Sequence, residues 1–250
     1  MDLGLEDRVA LVTGASKGLG KGIAAALAHE GARVAISSRS RERIETAAAE
    51  IGALGLVHDS ADLDAAPELV ESVESQLGPI EVLVANTGGP PPGPDPLGFT
   101  REQWEAAYRE LVLAPMALVE RVVHGMRERG FGRILSVGSS AIREPIASLM
   151  LSNSHRAALL GALKTLSREV ARDGVTVNTL LPGVIAGSDR ADVGLHRGRR
   201  GVRPLTGPSR PPRDGGGVRR GGGVPLLGAR VVRDRHDGAG RRRRESVGLT

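Results

Sequence analysis

Apolar residues along the first 183 positions follow two repeating patterns. Short, continuously apolar runs predict buried strands at 9–13, 33–37, 54–59, 81–86, 133–140 and 175–183. Between them, apolar residues recur at helical spacing and predict helices at 21–31, 40–54, 65–78, 100–128 and 152–174. Strands that are apolar on both faces and alternate with helices are typical of a parallel sheet covered on both sides. The predicted fold is α/β, a doubly wound, Rossmann-like three-layer sandwich.

The pattern ends near Gly187. From 188 to 244 the chain contains no Glu, Lys, Ile, Phe, Asn or Gln, and neither helical nor alternating spacing survives. Such a composition buries too little apolar surface to offset the entropy of ordering a chain. We therefore expect one folded domain at 1–187 and a low-complexity tail, rich in Arg, Gly and Pro, at 188–250.

The composition limits which metal sites, disulfides and cellular locations are possible. The chain has no cysteine, which excludes disulfides and thiolate metal sites, and no histidines stand at ligand spacing, so we expect no metal. It has no run of 18 apolar residues, and its opening MDLGLEDR lacks the features of a secretion signal. We expect a cytoplasmic protein that does not span a membrane. The net charge of +5 reflects arginines concentrated in the tail.

A glycine-rich turn joins the first predicted strand to the first predicted helix. A pyrophosphate needs close approach to the backbone, exposed amide hydrogens and the positive end of a helix dipole, and such a turn supplies all three. The sequence TGASKGLG therefore predicts that the 1–187 domain binds a dinucleotide. The residues predicted to bind it in this turn are Gly14, Ser16, Lys17, Gly18, Leu19 and Gly20.

The end of the second predicted strand indicates which dinucleotide is bound. A carboxylate there would accept the adenosine ribose 2′-hydroxyl, whereas an arginine suits a 2′-phosphate. The chain has Ser38 and Arg39 at this point, and Lys17 adds a second cation from the glycine turn. NADP(H) is therefore favoured over NAD(H). The alternative interpretation is that Arg39 is only a solvated charge at the start of a helix.

The order of motifs over about 5–183 resembles the short-chain dehydrogenase/reductase family, close to its 3-oxoacyl-(acyl-carrier-protein) reductases. The resemblance implies hydride transfer to or from a carbonyl or alcohol of a small molecule, and a homo-oligomer for an intact member. Asp59 matches the carboxylate that holds the adenine, and Thr87 departs from the family's Asn-Asn-Ala-Gly motif. The further cofactor residues that the resemblance implies are Asp59, Ser60, Asn86, Thr87, Gly88, Pro182 and Gly183.

The resemblance also locates the catalytic residues, and most of them have changed. Ser139 of VGSSA matches the catalytic serine, with Ser140 as a neighbouring alternative. The family's Tyr-x-x-x-Lys pair occurs nowhere in the chain. Helical spacing of SNSHR puts Ser152 at the tyrosine position and Arg156 at the lysine position. Leu111 stands where the family has a structural asparagine.

The predicted catalytic set is Ser139, Ser152 and Arg156. Arg156 can hydrogen-bond the ribose hydroxyls of the cofactor, but Ser152 is a poor proton donor because an aliphatic hydroxyl is a far weaker acid than a phenol. His155, one position away from this helix face, or a water molecule are the alternatives. General acid catalysis is worth about 10²–10⁴-fold, so its loss slows hydride transfer without abolishing it.

The tail lacks the strand with which the family closes its sheet. Codons for Val232–Arg243 can, however, read Tyr-Val-Thr-Gly-Thr-Thr-Val-Pro-Val-Asp-Gly when moved forward by one base. That reading is close to the family's closing strand. We therefore interpret 188–250 as an out-of-frame reading of a high-GC gene, which leaves the last strand missing or disordered and the oligomer in doubt.

Three functions follow from these observations. The first is an NADP(H)-dependent oxidoreductase of the short-chain type, with 3-oxoacyl compounds among the candidate substrates. The second is a nucleotide-binding or regulatory protein that has lost turnover together with the tyrosine and lysine. The third is a nucleic-acid binder that uses the arginine-rich tail, which lacks an aromatic stacking platform.

Overall fold

A single parallel sheet organises the part of the chain that the computed structural model describes, residues 2–183. Its strands are β1 (Val9–Val12), β2 (Arg33–Ser38), β3 (Leu54–Val57), β4 (Val82–Ala85), β5 (Gly132–Val137) and β6 (Val175–Leu180). Neighbouring strands are all parallel, in the order β3-β2-β1-β4-β5-β6. The predicted doubly wound α/β fold is confirmed. The predicted boundary at 187, the tail and the missing strand lie outside the described residues.

Helices cover both faces of the sheet. They are α1 (Gly18–His29), α2 (Arg41–Ile51), α3 (Ala66–Leu77), α4 (Arg101–Tyr108), α5 (Ala114–Glu128) and α6 (Met150–Val170). The first two pack on one face, and α3, α5 and α6 pack on the other. None of these helices is both long and apolar enough to cross a membrane.

The strand β1 shows why the strand sequences are continuously apolar. Val9 and Leu11 join the core beneath α3, α5 and α6, whereas Ala10 and Val12 join the core beneath α1 and α2. All four are buried because the sheet is covered on both faces. Burying a side chain such as Leu11 stabilises the fold by about 1.5–3 kcal/mol relative to leaving it exposed.

The single helix predicted at 100–128 is wrong in one respect, because a π turn at Arg109–Leu113 divides it into α4 and α5. Pro115 explains the break. Proline has no N–H, and in a continuous α-helix its ring would collide with the carbonyl of Leu111 four residues earlier. The wider turn relieves both problems by inserting an extra residue. At the start of α4, Thr100 and Gln103 form a reciprocal capping box.

Charged side chains close the amino-terminal end of the sheet. The guanidinium groups of Arg8 and Arg133 both lie over the ring of Phe131, each 4.1 Å from its centre. Arg8 also pairs with Glu81, which comes just before β4. These contacts fix the end of the sheet opposite to the loops that carry the candidate chemistry.

Candidate active site

The candidate site lies where the order of the strands reverses. The strands β1 and β4 are neighbours, but the chain leaves β1 for the α1 face and leaves β4 for the opposite face. Such a divergence opens a crevice at the carboxyl ends of the strands, where nucleotides bind in open α/β sheets. The glycine turn after β1 and the Asn86–Gly88 segment after β4 both lie at this crevice.

Asn86 ties the two sides of the crevice together. Its Nδ2 donates hydrogen bonds to the carbonyl oxygens of Gly14 (2.9 Å) and Thr13 (3.2 Å). The hydroxyl of Thr13 donates to the Asn86 carbonyl (2.9 Å) and accepts from the Asn86 N–H (3.1 Å). The end of β4 thus holds the glycine turn in one conformation.

The glycines of the turn are required for two different physical reasons. A Cβ at Gly20 would lie 2.7 Å from the Gly14 carbonyl oxygen, and one at Gly14 would lie 2.7 Å from the Asn86 carbonyl oxygen. Gly18 has open space around it but a φ of +59°, which side chains rarely adopt. Because α1 begins at Gly18, its first backbone N–H groups lack helical partners and can bind an anion.

The residues predicted for the adenosine half of the cofactor lie side by side, at the carboxyl ends of the neighbouring strands β2 and β3. Arg39 and Asp59 are exposed and Ser38 and Ser60 are half-buried. The backbone N–H of His58 donates to the Ser38 carbonyl (3.0 Å), which holds the two strand ends side by side. Among these residues only Asp59 carries a negative charge, and it follows β3, so the tip of β2 keeps its cationic character.

His58 is a buried histidine beside this edge. Only 7 % of its surface is exposed. Burial lowers its pKa below the ordinary value of 6.5, because desolvation outweighs the nearby carboxylates of Asp59, Asp62 and Glu68. His58 is therefore neutral near pH 7.

Ser139 lies two residues after the end of β5, close to the predicted cofactor residues Pro182 and Gly183. Its Oγ accepts a hydrogen bond from the Ala141 N–H (3.2 Å), which fixes the hydroxyl at the start of a short 3-10 turn. The N–H of Ser140 donates to the Pro182 carbonyl (2.9 Å), so the Pro182–Gly183 segment is held against this loop.

Arg156 is buried and connects three parts of the site. Its Nε donates to Ser152 Oγ (3.2 Å), Nη1 donates to the Val137 carbonyl (2.7 Å), and Nη2 donates to the Gly88 carbonyl (2.5 Å). Ser152 and Arg156 therefore do share one helix face, as their spacing predicts. The sequence did not reveal that the guanidinium would also bind the backbone at the ends of β4 and β5. Arg156 braces the crevice in addition to any contact with a cofactor.

His155, the alternative proton donor, packs against α4. Its ring centroid lies 5.2 Å from that of Trp104 and 6.0 Å from that of Tyr108. Its Nδ1 lies 2.7 Å from the Leu151 carbonyl oxygen and so donates to it. These contacts help to bury His155 against α4, whereas Trp104 and Tyr108 themselves remain exposed.

Two features of the site had no signal in the sequence. Glu110 lies in the π turn, and its carboxylate would be 3.1 Å from a Cβ added at Gly88. Asn153 donates from Nδ2 to the Ile146 carbonyl (2.8 Å) and so holds the loop that precedes α6. Both contacts depend on how separate elements pack. Within residues 2–183, no cluster of three or more His, Asp or Glu side chains could hold a metal ion.

Comparison with known proteins places this arrangement in a family. The family model described as short chain dehydrogenase matches residues 8–194. The chain belongs to the short-chain dehydrogenase family. Among curated members, it is 33 % identical over 202 residues to a putative ketoacyl reductase of Streptomyces coelicolor, with 76 % of each chain covered. It is also 34 % identical over 196 residues to galactitol 2-dehydrogenase of Agrobacterium fabrum, covering 77 % of this chain and 76 % of that protein.

Solved structures of the family agree with the fold. L-sorbose reductase from Gluconobacter frateurii, in complex with NADPH and L-sorbose, matches with a TM-score of 0.69 and 33 % identity, covering 74 % of this chain and 72 % of that one. Actinorhodin polyketide ketoreductase with NADPH matches with a TM-score of 0.69 and 32 % identity, covering 72 % of this chain and 71 % of that one. The chain therefore belongs to a family of oxidoreductases.

Proposed function

We propose that this chain is an NADP(H)-dependent oxidoreductase that transfers hydride between the cofactor and a carbonyl or secondary alcohol of a small molecule. One observation carries the proposal: Asn86 fixes a glycine turn whose Gly14 and Gly20 have no room for a side chain, at the crevice between β1 and β4. The fit to a pyrophosphate is good, because the turn combines close backbone approach with the first N–H groups of α1.

The preference for NADP(H) rests on charge. Arg39 and Lys17 are exposed cations near the predicted position of the 2′-phosphate, and Ser38 stands where a carboxylate would favour NAD(H). The matching L-sorbose reductase and actinorhodin ketoreductase structures both contain NADPH. The same end of the sheet would hold the adenine through Asp59 and Ser60.

The proposed reaction uses two serines and one arginine of this chain. NADP(H), when bound, supplies or accepts the hydride. Ser139 donates a hydrogen bond to the substrate oxygen. Because Ser152 Oγ already accepts from Arg156, its own O–H can donate to the same oxygen, and the buried cation stabilises negative charge that develops there. An aliphatic hydroxyl is too weak an acid to ionise alone. Solvent water therefore returns a proton to Ser152 as its own proton moves to the substrate oxygen.

A nucleotide-binding protein without turnover is the second candidate function. The observation in its favour is that three nitrogen atoms of Arg156 donate to Ser152 and to the carbonyls of Gly88 and Val137, while the phenol is absent. These bonds occupy donors that a lysine in this family would offer to the cofactor. The nucleic-acid function rests on the tail, outside the described residues.

Cofactor titration followed by turnover separates these functions. We expect NADPH to bind more tightly than NADH by fluorescence, and ketones to cause slow oxidation of bound NADPH. Ser139→Ala should bind NADPH as the wild type does but lose most of the turnover. Tight NADPH binding without oxidation by any ketone would favour the second function. Failure of both dinucleotides to bind would overturn the proposal.

A further inference from the structure

A proline-rich loop, Gly89–Gly98, leads from the candidate site to α4. Its sequence GPPPGPDPLG contains five prolines in ten residues. Each proline fixes its own φ near −65° and restricts the residue before it. A loop of this composition therefore has few conformations available, and its course depends on where the rest of the molecule holds it.

The structure holds the proline-rich loop at its start, middle and end. At its start, the Gly88 carbonyl accepts a hydrogen bond from Arg156 (2.5 Å). In its middle, the Gly93 N–H donates to the Ser148 carbonyl (2.9 Å), just before α6. At its end, the capping box of Thr100 fixes the first turn of α4. One hydrogen bond within this proline-rich segment and a fixed residue on either side of it leave the segment little freedom to move.

Gly93 is the position on which the middle attachment depends. A Cβ added there would lie only 2.5 Å from the ring of Phe99. The Phe99 ring thus covers Gly93, while the Gly93 N–H donates to the Ser148 carbonyl. Farther along, the Leu97 N–H donates to the Asp95 carboxylate (2.9 Å) and the Gly98 N–H donates to the Asp95 carbonyl (3.1 Å), which closes a tight turn.

This course places the proline-rich loop beside the reacting groups. Gly88, just before the loop, accepts a hydrogen bond from Arg156, which also donates to Ser152, and Gly93 bonds Ser148 in the segment that joins Ser139 to α6. The loop is therefore held at the same end of the crevice as the two serines. A substrate whose oxygen reaches Ser139 and Ser152 would lie against it.

The loop offers a substrate few hydrogen-bond donors. Five of its ten residues have no N–H, and the N–H groups of Gly93, Leu97 and Gly98 are used within the structure. What remains is mostly proline rings and carbonyl oxygens, with one acidic side chain, Asp95. A carboxylate or phosphate group beside this wall would lose water without gaining donors, which is costly. Arg143 and Glu144, exposed residues between Ser139 and α6, have charges of opposite sign, so together they add no net charge.

We propose that the proline-rich loop is a wall of the substrate site, positioned by the Gly93–Ser148 hydrogen bond, and that it selects uncharged carbonyl compounds over anionic ones. This inference rests on the proposed oxidoreductase function. It names the substrate class: neutral ketones or esterified oxo acids, rather than free oxo acids.

Two alanine variants test the proposal. Gly93→Ala forces the Phe99 ring or the loop to move, whereas Gly161, exposed on α6, has nothing within 4 Å of an added Cβ. We expect Gly93→Ala to raise KM for ethyl acetoacetate about tenfold and Gly161→Ala to leave it unchanged, since small displacements of a positioning group are costly. NADPH affinity should stay within about twofold in both variants, because neither residue touches the glycine turn.

The substrate pair ethyl acetoacetate and acetoacetate tests the selection. The wild type should prefer the ester by about tenfold or more in kcat/KM, a difference of about 1.4 kcal/mol. Equal or better use of acetoacetate would overturn the proposal, as would equal KM values in the two alanine variants.

Hydrogen exchange separates failure of this proposal from failure of the proposed function. With NADPH bound, the ester but not the acid should slow exchange of amides in 88–99, whether or not turnover occurs. Protection by both compounds, or by neither, would overturn the proposal that this loop is a selective wall of the substrate site. Absence of NADPH binding would instead overturn the oxidoreductase function.

Discussion

Gly20 and Gly22 lie two positions apart in α1 and have opposite surroundings. A Cβ at Gly20 would lie 2.7 Å from the Gly14 carbonyl oxygen, whereas Gly22 has nothing within 4 Å. Gly20→Ala should therefore weaken NADPH binding by about tenfold or more, equivalent to at least 1.4 kcal/mol. Gly22→Ala should keep the affinity and stabilise the helix by about 0.5–1 kcal/mol. Fluorescence titration and thermal unfolding measure both effects, and equal loss of affinity in both variants would contradict this account.

The change at Ser152 and Arg156 can be reversed. The double variant Ser152→Tyr/Arg156→Lys restores a phenol with a cation one helical turn away, and general acid catalysis of this kind is worth about 10²–10⁴-fold. We expect kcat for ketone reduction to rise by a factor in that range. The matched control is Ser152→Phe/Arg156→Lys, which has nearly the same volume but no hydroxyl. A similar kcat in both double variants would show that proton donation does not limit the reaction.

His58 predicts a dependence of stability on pH. Its pKa is lowered in the folded protein, so at acidic pH the unfolded chain binds a proton more readily than the folded chain. The free energy of unfolding should therefore fall as the pH drops below about 6.5, and His58→Gln should reduce that fall. Urea unfolding at pH 7.5 and 5.5 measures it. His29→Gln, at an exposed position of α1, is the control and should keep the wild-type difference.

Among the secondary-structure elements, the ends of β4 and β5 depend on α6 through one side chain. Arg156→Met would keep an unbranched apolar stem but leave the carbonyls of Val137 and Gly88 without this donor. Each loss costs roughly 1–3 kcal/mol where the carbonyl stays dry. We expect a lower urea midpoint and weaker NADPH binding, with Lys164→Met, exposed on the same helix, as the control. Unchanged stability would show that the brace is dispensable.

The sequence predicted the elements well wherever burial alone decides the pattern. Each of the six strands and the helices around them lies within a few residues of its predicted position. The π turn was missed because the apolar spacing of 100–128 continues through it. Gly88, Val137 and Ser148 come together only through packing between separate elements, so their contacts with Arg156 and Gly93 had no local signal. Ser152 and Arg156, four residues apart in one helix, were predictable.

For the molecule as a whole, the composition of 188–250 leads to a prediction about the gene. The codons that can encode Val232–Arg243 also contain a reading that is close to the family's closing strand. We expect resequencing of the DNA across codons 185–250 to reveal a one-base shift near the point where the helical and strand patterns stop. An uninterrupted frame that encodes the sequence as given would disprove this interpretation.

The π turn at Arg109–Leu113 also determines how α5 is rotated about its axis. Each residue of an α-helix turns the chain by about 100°, so a surplus residue shifts every later side chain around the axis by that angle. Leu118 and Val122 of α5 lie in the buried core with this surplus residue present. Deleting one residue from the turn would therefore carry polar side chains of α5 inward along its whole length. Small insertions and deletions should be far less tolerated here than in the surface loops.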